Sequence, residues 1–179
     1  MNGLDNEIET RSRHVASLLA QRERRLVLAE SCTAGLLAAS LARVPGISAH
    51  LCGSMVVYRD ATKMRWLNVP EPVLAQHTAV SEQVAELMVR GVLENTPEAD
   101  VAASITGHLG PDAPADQDGV VFVGLAERRG GAIRLAPVHR LQLMSRERVV
   151  RQQEAVVRVL DLFIALLEAG ASPFSIPPI

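Results

Sequence analysis

Ser31, Cys32, Lys63 and Tyr58 are the side chains of this sequence whose types and placing suit bond making and breaking. Ser31 and Cys32 sit in Leu26-Val-Leu-Ala-Glu-Ser-Cys-Thr-Ala-Gly35, where four apolar residues run straight into hydroxyls and a thiol. A serine attacks a carbonyl only when a base takes its proton, and the G-x-S-x-G elbow of the hydrolases is absent. None of His14, His50, His77, His108 and His139 stands where it obviously serves Ser31. A lysine kept neutral by its surroundings can act instead, giving a Ser–Lys arrangement. Lys63 is the only lysine in the chain, the other seventeen basic residues being arginines. One lysine among so many arginines points to a site that needs a deprotonatable amine; a GC-rich coding bias would deplete lysine in the same way.

Cys32 is the competing nucleophile, because a thiol at a helix N-terminus has a lowered pKa. The alternative is a small buried hydrophobe directed away from Ser31. Tyr58 precedes Lys63 by five residues, so both could line one crevice, or Tyr58 could simply end a strand. Thr106-Gly107 offers a hydroxyl and open N–H groups to a phosphate. Arg146, Arg148 and Arg151 open a final helix, where they oppose its dipole; a bound anion explains them, as does plain solvation. Asp112, Asp116 and Asp118 match no calcium loop and read as a solvated acidic loop. No Cys/His/Asp set has metal-ligand spacing, so neither metal nor cofactor is expected.

These residues need elements to hold them. Leu26 to Ala29 form a short buried strand, and Leu36, Leu37, Ser40, Leu41 and Val44 share a helical face that Pro45-Gly46 ends. Residues 4 to 23 form an amphipathic helix before that strand. Residues 51 to 58 form a second strand, with Asp60 capping a short helix that carries Lys63, and Val69-Pro-Glu-Pro72 breaking it. Ser81 caps the next helix, and 100 to 106 form a third strand. After a loop at 108 to 119, residues 120 to 126 and 132 to 143 make a hairpin, with Ile133, Leu135, Leu141 and Leu143 on one face. A long helix spans about 145 to 169, and its apolar surface makes a homo-oligomer the expectation. The resulting fold class is α/β: a single three-layer domain at 1–170, with a mixed sheet of about five strands and helices on both faces. Residues 171–179 form a loose tail.

Composition excludes several functions. Aromatic residues are only 3%, which argues against a base-stacking nucleic-acid platform, and a net charge of −2 gives no attraction to a polyanion. No apolar run approaches the roughly 18 residues that span a membrane. Two cysteines without a CxxC, and no secretory signal, fit the cytoplasm.

The motifs Ala29-Glu-Ser-Cys-Thr-Ala-Gly35, Val44-Pro-Gly-Ile-Ser48, Tyr58-x4-Lys63, Leu67-Asn-Val69, Ala79-Val-Ser81 and Ile105-Thr-Gly107-x2-Gly-Pro111 resemble the C-terminal domain of the competence/damage-inducible protein CinA. The likeness runs from about Asp5 to Ala169, and no molybdopterin-binding-like N-terminal domain is expected. Stand-alone members of that family are nicotinamide mononucleotide deamidases. The resemblance therefore implies hydrolysis of the nicotinamide mononucleotide carboxamide to nicotinate mononucleotide and ammonia. It makes Ser31 the nucleophile and Lys63 the base with Tyr58 beside it. It places Glu30, Thr33, Gly35, Thr106, Gly107 and Arg146 or Arg148 around a small-molecule nucleotide substrate. The chain departs from the family pattern at Ala34, at Met144-Ser-Arg146, and in the 108–119 loop, where glycines give way to acids. Such a loop should hinder and repel a phosphate. The alternative is a non-catalytic paralogue that binds a nucleotide-like ligand or a protein partner in DNA-damage or competence physiology.

Overall fold

A computed structural model describes residues 3–169, so the expected tail at 171–179 lies outside the described residues. Strands β1 (Leu26–Glu30), β2 (Leu51–Val56) and β3 (Val101–Gly107) are mutually parallel, with β1 between the other two. Strand β4 (Val120–Arg129) pairs antiparallel with β3, and its far edge carries β5 (Ala132–Leu135) and then β6 (His139–Gln142). The sheet is thus mixed, as the order of elements implies, and has six strands because the return arm of the hairpin is broken.

The break has a cause and a consequence. Between the Ala126–Leu135 and Val123–His139 pairs, β4 advances three residues while the return arm advances four. The additional residue falls at Ala136-Pro137-Val138, where proline cannot donate to the ladder. One extra residue reverses the faces. Ile133 and Leu135 therefore pack on one side of the sheet and Leu141 and Leu143 on the other, which corrects the single face expected from their spacing.

On one side of the sheet lie α1 (Gly3–Gln21), α2 (Leu36–Ala42) and the C-terminal helix, α6 (Arg148–Glu168). On the other lie α3 (Asp60–Leu67), α4 (Glu71–His77) and α5 (Glu82–Glu94). Strand β1 shows why two layers are needed: Leu26 and Leu28 enter the first core, Val27 and Ala29 the second. The stripe Ala155, Val156, Val159, Leu160, Phe163 and Leu167 of α6 is buried within the chain, beneath α1 and the sheet. The apolar surface from which self-association is expected is thus already covered. Helix α3 ends at Leu67, ahead of Val69-Pro-Glu-Pro72 as expected, and a further helix, α4, starts within that segment because Pro72 occupies its first turn, where the missing N–H is harmless.

Candidate active site

Three parallel strands end side by side, and each ending delivers part of one cleft. The Ser31 N–H extends the β1–β3 ladder by donating to Ile105 O at 3.0 Å, and the Val57 N–H donates to Glu30 O at 2.8 Å. Ser31 follows β1, Val57 and Tyr58 follow β2, and Thr106-Gly107 closes β3. The carboxyl edge of parallel strands is where open α/β sheets place ligands. Here it holds a cleft of about 210 Å³ lined by Ser31, Tyr58, Lys63, Thr106, His108 and Arg148, among others.

The turn after β1 is built around a buried carboxylate. Glu30 is fully buried and accepts five hydrogen bonds: from Thr33 Oγ1 at 2.8 Å, Gly35 N at 3.0 Å, Leu37 N at 3.1 Å, Ala38 N at 3.0 Å and Ser54 Oγ at 3.0 Å. A negative group amid the unpaired N–H donors of a helix start is favourable in both charge and hydrogen bonding. Ala34 and Gly35 adopt left-handed conformations, at φ 53° and 95°, which swing the chain round this carboxylate. The helix therefore begins at Leu36. Glu30, Thr33 and Gly35 shape the turn from beneath and do not line the cleft.

Above them, Ser31 is 7% exposed. Among the described residues the N–H groups of Cys32 and Thr33 donate to no other residue, and the Cys32 N–H lies beside its own thiol. Cys32 borders the cleft but is buried in the core cluster, and its carbonyl accepts from Gln152 Nε2 at 3.1 Å. Burial pushes its thiol up to about 12, the opposite of the lowering expected at a helix start.

Among the described residues Lys63 is the largest fully buried side chain, at 1% exposure. Its Nζ donates to the carbonyls of Val57 at 3.0 Å and Tyr58 at 3.5 Å, and Asp60 stands 3.9 Å away. Burial lowers the Lys63 pKa; Asp60, itself largely exposed and screened, and Cys32 oppose this more weakly. Asp60 is the first residue of α3, whose N-cap is Arg59.

Tyr58 is half-exposed at the rim, where its hydroxyl accepts from Arg148 Nη2 at 2.8 Å. Arg148 also donates to Gly110 O. Of the two arginines left open by the sequence, Arg148 lines the cleft and Arg146 does not. The Thr106 hydroxyl donates to Ala79 O at 2.8 Å, which fixes the opposite wall. At Gly107 a Cβ would come within 2.4 Å of Val121, so no other residue fits there.

Two features escape the sequence reading. His108 lies in the wall. Asp118, expected to be solvated, forms a two-pronged pair with Arg151, at 2.7 Å for each contact. That pairing holds the Asp118 carboxyl below the usual carboxylate range. Among the described residues no three His, Cys, Asp or Glu side chains converge as a metal site, and no helix is long and apolar enough to cross a membrane.

A mixed α/β sheet with a serine-bearing turn and a buried lysine at the ends of its parallel strands defines the class. Residues 8–167 match the family model of the CinA C-terminal domain, and the chain belongs to that family. It is 36% identical over 168 residues to a CinA-like protein of Syntrophus aciditrophicus, covering 92% of this chain and 38% of that one. It is 39% identical over 132 residues to a CinA-like protein of Geobacter sulfurreducens, covering 73% and 31%. The chain thus spans about a third of the length of these curated relatives. Among solved structures, a CinA superfamily protein of Klebsiella pneumoniae superposes with a TM-score of 0.81 at 29% identity, covering 90% of this chain and 98% of that one. The competence/damage-inducible protein CihA of Agrobacterium tumefaciens gives 0.82 at 29% identity, covering 90% and 96%.

Proposed function

We propose that the protein is an amidohydrolase that converts nicotinamide mononucleotide to nicotinate mononucleotide and ammonia, with Ser31 as nucleophile and Lys63 as base. The observation that carries this reading is the placement of Ser31 and the buried Lys63 in one cleft at the joint ends of β1, β2 and β3. A neutral amine has two N–H groups and one lone pair. The carbonyls of Val57 and Tyr58 engage the two N–H groups, which leaves the lone pair for the Ser31 proton.

Ser31 Oγ attacks the carboxamide carbon while Lys63 takes its proton. The carbonyl oxygen gains negative charge and meets the N–H groups of Cys32 and Thr33, where each such donor is worth roughly 3 kcal/mol. Collapse of the adduct expels the amine, to which the Lys63 ammonium returns the proton. Water then cleaves the acyl-serine by the same steps, releasing the carboxylate. Arg148, steadied by Tyr58 and Gly110, holds the phosphate at the rim.

The substrate loop gains acids relative to the family pattern, but Asp118 is neutralised by Arg151, so the repulsion expected from the sequence is smaller than its charge count implies. Ammonia release from nicotinamide mononucleotide by the purified protein, abolished in Ser31→Ala, tests the reading. No release from the wild type, with binding of the nucleotide retained, would favour the non-catalytic alternative.

A further inference from the structure

We propose that the Arg151–Asp118 pair is a positioning clasp that holds the 108–119 segment as a wall of the cleft beside Arg148, and so governs substrate affinity more than turnover. The proposal rests on the nucleotide-amide reading above. Arg151 is 5% exposed although it carries a permanent charge. Its Nη1 and Nη2 donate to Asp118 Oδ1 and Oδ2, each at 2.7 Å, and its Nε donates to Ser145 O at 2.7 Å. A buried guanidinium is tolerated only with such complete pairing, so removing Asp118 leaves a charge that the local structure must rearrange to satisfy.

The clasp fits between two glycines, one near each end of the segment. Gly110 and Gly119 have left-handed φ values of +65° and +75°. A Cβ at Gly110 would lie 2.9 Å from Arg151 Nη1, and one at Gly119 would lie 3.3 Å from Arg151 Cζ. Backbone bonds close the base of the segment, from Gly119 N to His108 O and from His108 N to Val120 O, each at 2.9 Å.

Arg148 lies three residues before Arg151, on the same side of α6. One face of one helix therefore places both the guanidinium at the cleft rim and the base of the wall beside it. Gly110 joins the two, since its carbonyl accepts from Arg148 and its Cα packs on Arg151. Loosening the clasp should shift the wall relative to Arg148 while leaving Ser31, in the turn after β1, and Lys63, on α3, undisturbed.

The test uses Asp118→Asn, Arg151→Lys and the double variant Asp118→Asn/Arg151→Met. Amide hydrogen exchange of the free proteins is read first, then KM and kcat for ammonia release from nicotinamide mononucleotide. Asp118→Asn and Arg151→Lys should speed exchange across 108–119 about tenfold, with β3 and α6 protection unchanged. Both should raise KM about tenfold, with kcat within about twofold. The double variant, which buries no orphaned charge, should be no worse than Asp118→Asn alone. Unchanged exchange at 108–119, or faster exchange with unchanged KM, overturns the clasp. A wild type that releases no ammonia contradicts the enzymatic reading instead; exchange then decides the clasp, faster for it and unchanged against it.

Discussion

The Glu30 carboxylate accepts the backbone N–H of Ala38, eight residues further along, at 3.0 Å, and so ties the end of β1 to the first turn of α2. Ser31 is carried on the short turn that this contact closes. In the mechanism proposed above, Glu30 is therefore a positioning residue that sets the geometry of Ser31.

Glu30→Gln replaces one acceptor oxygen by an NH2 that faces donors. It should cost about 3 kcal/mol, a fall in melting temperature of roughly 10 °C, and reduce kcat along with stability. Thermal unfolding followed by circular dichroism checks this. An unchanged melting temperature would mean that the five hydrogen bonds do not hold the turn.

Cys32, with its thiol pushed up to about 12, should resist alkylation in the native protein at neutral pH, while the more exposed Cys52 reacts first. Cys32→Ala should keep most of the activity and cost about 1 kcal/mol of stability through a small cavity. Peptide mapping after iodoacetamide treatment would reveal the opposite order, and inactivation that tracked Cys32 labelling would reassign the nucleophile.

How far these residues were legible in the sequence depends on the range of their interactions. Ser31, Tyr58 and Thr106-Gly107 stand at or just past strand ends and Lys63 on the short helix after β2, and such ends follow from local apolar runs and breakers. The parallel arrangement then brings them to one edge. The Asp118–Arg151 pair joins residues 33 apart through a loop of no regular period, and no local pattern distinguishes a clasping aspartate from a solvated one. Glu30 lay within reach, since a carboxylate at a strand end before Thr-Ala-Gly suits a helix start. The family likeness drew it toward the ligand instead. The reversal of faces between Leu135 and Leu141 was visible only as Pro137, and its effect depends on register, which needs the partner strand.

Arg148 and Arg146 should separate cleanly. Arg148→Met removes the guanidinium at the cleft rim and should raise KM by about 10- to 100-fold, with a smaller effect on kcat. Arg146→Met should stay within about twofold of wild type in both constants. Steady-state kinetics on the two variants decides the matter, and the reverse ranking would place the phosphate elsewhere.

Activity should survive exhaustive treatment with EDTA, because among the described residues no group of three metal-binding side chains converges. Loss of ammonia release on chelation, with recovery on adding a divalent cation, would refute a purely Ser–Lys mechanism.

The pH dependence of ammonia release in wild type and Lys63→Arg tests the central claim most directly. A base whose pKa burial has lowered is neutral, and so active, at a lower pH than an ordinary lysine. Wild-type kcat should therefore rise with pH along a single limb whose midpoint lies below the usual lysine value of 10.5. Arginine keeps the charge but cannot surrender a proton, so Lys63→Arg should lose both the limb and nearly all turnover, as Lys63→Ala does. Near-normal turnover in Lys63→Arg with the limb intact would contradict the account and reduce Lys63 to a buried charge that takes no proton.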